Sequence, residues 1–314
     1  MSSFMNYKIF SLFFVGLFLI SFSLTPLVKR AALRLGLVDK PDGDSLKIHR
    51  HVVPLGGGAV LILPVVMGLL TFPFLLTEKI ISLVPIMAIG AGALLVFGIG
   101  LIDDFSRVRP GIRLVVHVLA AVGVSLFAGK WSGILVLTAV TIGLATVAIA
   151  VTINAFNMSD GMDGLCAGLS LISCIGFFFW GFKQDHALLM AIAAVSFISL
   201  LGFIPYNLYP ARIFLGDAGS GLLGFLIGTM MILGLSCPPI GFGNLIAVVL
   251  IAGLPVFDMG LAVGRRIARG KPLFTGDRDH IYDLLLKKNW SQPKVWMSLC
   301  AIQTGFVIFS LKIQ

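Results

Sequence analysis

Five aspartates are the side chains of this sequence best placed to do chemistry. They share a position at the edge of an apolar run, although up to about a hundred residues separate them: Asp103, Asp104, Asp160, Asp163 and Asp217. A carboxylate in or near hydrocarbon is costly, so an acid there indicates a functional site by default. Several such acids on one face of the molecule therefore predict a cation site.

The adjacent pair Asp103-Asp104 ends one apolar run. Neighbouring carboxylates repel each other, so one is expected to hold its proton unless a cation or a base is near. The alternative is a solvated acidic pair at a helix end, balanced by the arginines that follow. Arg113 and His117 come next, four residues apart. A buried pair facing the aspartates and an arginine that snorkels from a helix end both fit this spacing.

The segment 154–164 places an oxygen-bearing side chain at every third position: Asn154, Asn157, Asp160 and Asp163. On a helix this spacing winds slowly around one face, so the four side chains are expected to line a cavity. Amide and carboxylate oxygens suit Mg²⁺, and the same groups can bond to a nucleoside. The alternative is a polar turn between helices, with Asn and Asp as caps.

The segment 214–220 reads Phe-Leu-Gly-Asp-Ala-Gly-Ser and opens another apolar run. Asp217 and Ser220 could simply cap the start of a helix. The functional interpretation places a metal-binding carboxylate at a helix N-terminus, where exposed N–H groups favour phosphate. Phe214 could then stack on a base.

Two basic segments add candidate phosphate contacts. The segment 265–280 begins with Arg265-Arg266 and ends at His280, and two aspartates interrupt its basic run. Charge alone indicates a surface patch for anionic lipid, but a simple lipid anchor does not need those acids. Lys47 lies in a second basic segment, for which phosphate contact and plain surface charge are equally supported.

The composition indicates which class of protein must position these side chains. The chain has 314 residues, of which 58% are hydrophobic and 12% charged, and its mean hydropathy is +1.04. A soluble domain is about 25% charged, so this chain is suited to a lipid-exposed surface. We predict an all-α polytopic membrane protein with one transmembrane domain over residues 1–314. The net charge of +9 does not indicate nucleic acid, because the basic residues are spread over short loops.

Ten apolar runs approach the roughly 20 residues that a helix needs to cross a bilayer. We predict spans at 7–28, 55–76, 81–102, 113–128, 134–153, 165–182, 187–205, 214–236, 244–264 and 295–312. With the N-terminus outside, 18 of the 23 Lys and Arg residues and 12 of the 14 acidic residues fall on one side. The positive-inside rule makes that side cytoplasmic, so the five aspartates are predicted to face the cytoplasm.

The motifs, in this order along the chain, resemble those of the polyprenyl-phosphate N-acetylhexosamine-1-phosphate transferases of glycosyltransferase family 4. These enzymes are related to the muramoyl-pentapeptide transferase of peptidoglycan synthesis. The resemblance runs from about Lys29 to Asn289. One departure is clear, because family members often carry a His-x-His-His cluster and this chain has only His280, followed by Ile-Tyr-Asp. That departure favours the N-acetylhexosamine branch over the muramoyl-pentapeptide branch.

The resemblance implies transfer of a HexNAc-1-phosphate, with GlcNAc-1-phosphate the first expectation, from a UDP-sugar to undecaprenyl phosphate, with release of UMP. This would be the first membrane step of an envelope glycan such as O-antigen or teichoic acid. It also implies a need for Mg²⁺, or for Mn²⁺ in some members, and a site on the cytoplasmic face of the bacterial inner membrane. A 6-deoxy donor such as UDP-FucNAc or UDP-QuiNAc is a further alternative, and related enzymes form homodimers.

The resemblance also assigns metal and acceptor roles by position. Asp217 would be the principal Mg²⁺ ligand, with Asn157 as a second oxygen donor. Asp103 and Asp104 would lie beside the acceptor phosphate, and Asp103 is the favoured base of the two.

The donor roles follow in the same way. Asn157, Asp160 and Asp163 would hold the nucleotide-sugar, with Phe214 against uracil. The phosphate contacts would come from His280, Arg265 and Arg266 for the diphosphate and from Lys47 in the nucleotide pocket.

Two other classes of protein compete with this interpretation. A cation-coupled transporter predicts acids near the bilayer midplane and an internal repeat, whereas these acids lie at span ends and the chain shows no repeat. A non-catalytic lipid-phosphate binder or flippase of the same fold would share the motifs. Release of UMP from a UDP-sugar distinguishes an enzyme from both.

Overall fold

The computed structural model describes residues 2–41, 51–75, 82–131, 138–238, 241–270 and 279–313. Within these ranges the chain is almost entirely helical, which confirms the predicted all-α class. The helices are α1 Ser2–Leu35, α2 Gly57–Leu75, α3 Leu83–Phe105, α4 Pro110–Trp131, α5 Thr138–Met158, α6 Leu165–Lys183, α7 Ala187–Asn207, α8 Gly216–Leu235, α9 Phe242–Ala252, α10 Leu254–Ala268, α11 Ile281–Lys287 and α12 Gln292–Ser310. Two short strands, β1 Val38–Asp39 and β2 Val53–Pro54, pair antiparallel.

Seven helices of the described residues are long and apolar enough to cross a membrane: α1, α2, α3, α5, α6, α7 and α8. The bent pair α9–α10 makes an eighth if it is taken as one span. The predicted multi-pass architecture is therefore confirmed. The predicted fourth and tenth spans coincide with α4 and α12. Of α4, the described stretch Pro110–Leu126 is a shorter apolar helix, and α12 is outside this set. The count of ten stays a prediction.

The predicted ninth span, 244–264, is not one continuous helix. It breaks at Gly253 into α9 and α10, whose axes are bent by 92°. Gly253 has φ +66°, a left-handed conformation that glycine adopts without the steric cost of a Cβ. A single glycine in an apolar run is a weak signal for a break, which is why the sequence pattern predicted an unbroken span.

Helix α8 is the centre of the bundle, since 94% of its most apolar stretch is buried. Glycines let its neighbours approach closely. A Cβ at Gly224 would lie 2.6 Å from the Cα of Ile153 in α5, and a Cβ at Gly100 in α3 would lie 2.6 Å from the Cα of Ala218. Small residues at helix contacts are the usual route to close packing in membranes. The packing brings the ends of α3 and α5 to the start of α8.

Candidate functional site

A cavity of about 1010 Å³ lies where α3 and α5 end and α8 begins. Its lining includes seven residues that the sequence singled out: Asp103, Asp104, Asn157, Asp160, Asp163, Phe214 and Asp217. The predicted convergence of the separate motifs on one place is therefore confirmed. We call the five aspartates of this set the acid cluster.

Arg113 of α4 joins two members of the acid cluster. Its Nη1 pairs with Oδ2 of Asp103, and its Nη2 lies 3.5 Å from Oδ1 of Asp217. Asp103 also accepts the N–H of Val108 at 2.5 Å. Arg113 is half-buried and faces the aspartates, as one of the two interpretations expected, and it does not snorkel. One turn further on, His117 is buried, and its Nδ1 has no hydrogen-bond partner.

Sequence reasoning gave Arg113 no place among the site residues, although it is the countercharge of the acid cluster. The available signal was an arginine inside an apolar helix, where a charge needs a partner. The guanidinium can donate to two carboxylates at once because its N–H groups form a fixed planar fork. Arg113 therefore bridges Asp103 and Asp217.

Asn157 orients Asp217 from the other side. Its Nδ2 donates to Oδ1 of Asp217 and to Oγ of Ser220, the latter at 3.0 Å. Its amide oxygen lies 3.4 Å from Nη2 of Arg113. Asp217 is thus held by an amide and a guanidinium, while its side chain remains 31% exposed to the cavity.

Asp104 has a different task from its neighbour Asp103. Its two oxygens accept the N–H groups of Asp217 at 2.7 Å and Ala218 at 3.2 Å, so Asp104 caps α8 from another helix. The two neighbours therefore face different groups: Asp103 an arginine and Asp104 a helix N-terminus. Gly216, with φ +72°, lies against Asp104, whose Oδ2 would be 2.5 Å from an added Cβ.

This cap corrects two expectations about the segment 214–220. Capping by Asp217 or Ser220 is wrong, because Ser220 donates its hydroxyl to the carbonyl of Gly216 at 2.9 Å and Asp104 supplies the cap. The expectation of open N–H groups for phosphate is also wrong for Asp217 and Ala218, because Asp104 already accepts both. A cap from a distant helix leaves no local sequence signal.

The polar segment 154–164 is only partly helical, because α5 ends at Met158. Asp160 and Asp163 therefore lie in the turn that follows, and Asp163 accepts the N–H of Ala211 at 2.9 Å. The expectation that all four polar side chains line the cavity is wrong for Asn154, which instead donates to the carbonyl of Ala150 at 2.7 Å.

The pKa of Asp160 reflects the negative charges around the cavity. Burial, together with the nearby carboxylates of Asp217, Asp104 and Asp163, raises the pKa of Asp160 well above its usual range. The neighbouring carboxylates therefore disfavour a negative charge on Asp160. An added cation would relieve the repulsion.

Phe214 is fixed at the cavity by its backbone. Its N–H donates to the carbonyl of Pro54 and its carbonyl accepts the N–H of Gly57, both at 2.9 Å. A parallel bridge also joins it to Leu55. The segment after β2 thus holds the aromatic ring beside the acids, where it offers a flat apolar face to a planar ligand.

Three predicted phosphate contacts do not line the cavity described here: His280, Arg265 and Arg266. His280 is buried, and its Nδ1 lies 2.7 Å from Oδ2 of Asp258 in α10. The ring of His280 stacks on that of Tyr282. Arg266 is buried and Arg265 half-buried at the end of α10. Their predicted roles, and that of His280, stay predictions.

Asp258 is a further polar residue that sequence reasoning missed. Besides facing His280, it accepts the N–H of Ile281 at 3.0 Å and so anchors the start of α11. Its signal was a lone aspartate within the predicted ninth span. Lys47, the remaining predicted phosphate contact, lies outside the described residues.

The oxygen donors of the cavity suit a hard divalent cation. The described residues contain no group of three or more His, Cys, Asp or Glu side chains arranged to hold a metal. Mg²⁺ does not need such a cage, because it keeps several waters and binds through one or two carboxylates together with substrate phosphates. Asp217, Asp103 and the amide oxygen of Asn157 fit that pattern.

Comparison with known proteins finds relatives over most of the chain. The sequence model described as glycosyl transferase family 4 matches residues 86–235. The chain is 30% identical over 296 residues to a probable undecaprenyl-phosphate N-acetylglucosaminyl 1-phosphate transferase of Bacillus subtilis (92% of this chain, 79% of the relative).

Two other relatives are similarly related. The undecaprenyl-phosphate alpha-N-acetylglucosaminyl 1-phosphate transferase of Escherichia coli is 30% identical over 312 residues (93% of this chain, 81% of the relative). The decaprenyl-phosphate N-acetylglucosaminephosphotransferase of Mycobacterium tuberculosis strain H37Rv is 30% identical over 327 residues (93% and 80%).

Proposed function

The chain belongs to glycosyl transferase family 4, and we propose that it transfers N-acetylglucosamine 1-phosphate from UDP-N-acetylglucosamine to undecaprenyl phosphate, with release of UMP. It is a phosphotransferase, as the names of its relatives indicate, and its helices form a multi-pass membrane protein. The polyprenyl acceptor and the N-acetylglucosamine group are carried over from those names. UDP as the carrier and the choice among HexNAc sugars are part of the proposal.

The observation that carries the proposal is the meeting of the acid cluster, Arg113 and Phe214 in one cavity at the end of a membrane bundle. A polyprenyl phosphate keeps its chain in lipid while its phosphate reaches the end of a bundle. A cavity at that end suits such an acceptor and a water-soluble donor together. A transporter site near the bilayer midplane does not match this location.

The cavity residues divide between donor and acceptor. Phe214 offers a flat face to uracil, and Asp160 and Asp163 offer acceptors to the nucleotide-sugar. Asp103 is the base candidate, because Asp104 uses both oxygens to cap α8. Asp104 is then a positioning residue, which fixes the start of α8 and with it Asp217.

Asp217 and Asn157 would hold Mg²⁺, with Asp103 close by. When bound, this ion neutralises charge on the donor diphosphate and orients its oxygens. Arg113 supplies a second, fixed positive charge beside the reacting phosphates. We propose a direct in-line displacement. An oxygen of the acceptor phosphate forms a bond to the β-phosphorus of the donor, the bond from that phosphorus to the bridging oxygen breaks, and UMP leaves.

The remaining parts of the proposal concern location and assembly. The charge distribution favours an N-terminus outside and an acid cluster that faces the cytoplasm. That face gives access to a cytoplasmic nucleotide-sugar. The resemblance to bacterial envelope enzymes implies the inner membrane. The product would begin an envelope glycan such as O-antigen or teichoic acid, and a homodimer is the assembly proposed from related enzymes.

A donor panel tests the function. Purified protein in detergent is mixed with undecaprenyl phosphate, Mg²⁺ and one UDP-sugar at a time: UDP-GlcNAc, UDP-GalNAc, UDP-FucNAc or UDP-QuiNAc. The expected result is UMP together with a lipid diphosphate sugar, fastest with UDP-GlcNAc. Faster turnover of a 6-deoxy donor would correct the sugar and keep the reaction.

The identity of the nucleotide product is the decisive readout. Release of UDP instead of UMP would mean that the sugar alone is transferred, and no nucleotide release with any donor would remove the enzyme function proposed. Trapping a phosphoryl group on Asp103 or Asp104 during turnover would overturn direct displacement in favour of a covalent intermediate.

A further inference from the structure

We propose that Gln303 of α12 is a positioning residue, which fixes the direction of α10 by bonding to both sides of the break between α9 and α10. The side chain lies outside the cavity and belongs to none of the motifs described above. Its effect on turnover rests on the proposed transfer reaction, whereas its effect on the backbone can be measured without any substrate.

The amide of Gln303 is fully buried and has three partners. Its Oε1 accepts the N–H of Leu254 at 2.9 Å, and its Nε2 donates to the carbonyl of Ile251 at 2.9 Å and to Oγ of Ser173 at 3.2 Å. We call these four residues the break cluster. A helix break leaves backbone groups without intrahelical partners, and hydrocarbon offers no water to replace them. From α12, Gln303 supplies an acceptor for the N–H of Leu254 and a donor for the carbonyl of Ile251.

The side chain of Gln303 also packs tightly against the backbone of Gly253. An added Cβ at Gly253 would collide with the amide of Gln303. The left-handed turn at Gly253 therefore lies directly against the side chain that bonds to its two flanks. Donor, acceptor and shape together hold the 92° bend between α9 and α10.

Helix α11 connects α10 to the wall of the cavity. Asp258 of α10 faces His280 and accepts the N–H of Ile281. In the first turn of α11, the hydroxyl of Tyr282 lies against Gly161, which lines the cavity beside Asp160. A change in the bend would therefore move α10, then α11, and then the wall of the cavity.

A buried glutamine could instead serve only to fill space, and two substitutions separate these roles. Gln303→Met keeps the length of the side chain but removes both hydrogen-bonding groups. Gln303→Glu keeps an oxygen for the N–H of Leu254. Because burial keeps a carboxyl group protonated, it also keeps a donor for the carbonyl of Ile251. A packing role favours Met, whereas a hydrogen-bonding role favours Glu.

The experiment measures hydrogen exchange and turnover on the full chain in detergent. Gln303→Met should raise amide exchange in the peptide that contains Leu254 by about tenfold or more. It should also lower kcat for UMP release by about tenfold to a hundredfold. Gln303→Glu should recover most of both. Ser310→Ala is the control, because Ser310 is equally buried in α12 and its hydroxyl bonds only within that helix.

Each result decides the question. A Met variant that matches the wild type in exchange and kcat overturns the proposal. So does a Glu variant that is no better than the Met variant, including the case in which both lose the fold. If the wild type is inactive with every donor, the proposed function fails, and the exchange rates at Leu254 still decide the role of Gln303.

Discussion

The acid cluster and the break cluster lie in the same helical bundle and differ in how fully their polar groups are paired. In the break cluster, the amide of Gln303 is fully buried and bonds to three partners. In the acid cluster, the side chain of Asp217 is 31% exposed, and like charges surround Asp160. Polar groups that are fully hydrogen-bonded to one another stabilise the backbone geometry around them. Carboxylates that crowd together and open on a cavity indicate a ligand site.

The largest expected effect comes from Asp217→Asn. The substitution keeps the size and the backbone N–H that Asp104 accepts, but it removes the charge from a carboxylate that is partly exposed to the cavity. We expect kcat for UMP release to fall by more than about a hundredfold, since loss of an outer-shell partner alone costs tenfold to a hundredfold. The melting temperature should stay near that of the wild type.

The control for Asp217→Asn is Asp279→Asn. Asp279 pairs with Arg269 and Lys287 on the surface, so its loss should change neither turnover nor melting temperature. Turnover of Asp217→Asn within threefold of the control would place the chemistry elsewhere than in the acid cluster.

Arg113→Gln tests whether the positive charge beside the acid cluster is needed for turnover. Without the guanidinium, Asp103 and Asp217 lose the positive group that bridges them. We expect kcat to fall by about tenfold to a hundredfold, with Arg113→Lys intermediate because an ammonium keeps the charge and loses the planar fork. Equal activity of the Lys and Gln variants would contradict a role for the charge.

Asp103→Asn and Asp104→Asn should differ although the residues are adjacent. Asp104→Asn removes one of the two oxygens that cap α8, so it should lower the stability of the fold by about 1 kcal/mol. Asp103→Asn should lower turnover with a smaller effect on stability. Thermal unfolding and UMP release, measured on both variants, check the distinction. Equal losses of stability would show that the cap is not the main task of Asp104.

The smallest expected effect is a gain in stability from Asp160→Asn. An acid whose pKa is raised by folding destabilises the fold when the pH is above its unfolded pKa, about 3.9. The variant should therefore melt slightly above the wild type at pH 7, and the difference should vanish near pH 4. Adding Mg²⁺ should narrow the gap at pH 7. A lower melting temperature for the variant would mean that Asp160 is stabilised by a partner as an anion.

Much of the acid cluster could be predicted from the sequence because its signals are local. Acids are rare in an apolar chain, and Asp103, Asp160 and Asp217 each lie at the edge of an apolar run. The spacing of the apolar runs then placed these ends on one side of a membrane. The cavity confirms that these ends meet in one place.

The break cluster could not be predicted in the same way, because its contacts join distant parts of the chain. Gln303 bonds to Leu254, 49 positions away, and a glutamine in an apolar run has many possible neighbours. The cap of α8 by Asp104 is equally remote, at 113 positions. Packing through glycines such as Gly224 decides which of these contacts form.

Divalent cation binding tests the central claim, which is that the acid cluster binds a ligand whereas the break cluster stabilises the bend between α9 and α10. Binding of Mn²⁺ by purified protein is followed by electron paramagnetic resonance of the free ion, for the wild type, Asp217→Asn and Gln303→Glu. We predict one ion bound by the wild type and by Gln303→Glu, and none by Asp217→Asn at the same concentrations. Undiminished Mn²⁺ binding by a folded Asp217→Asn variant would contradict the account.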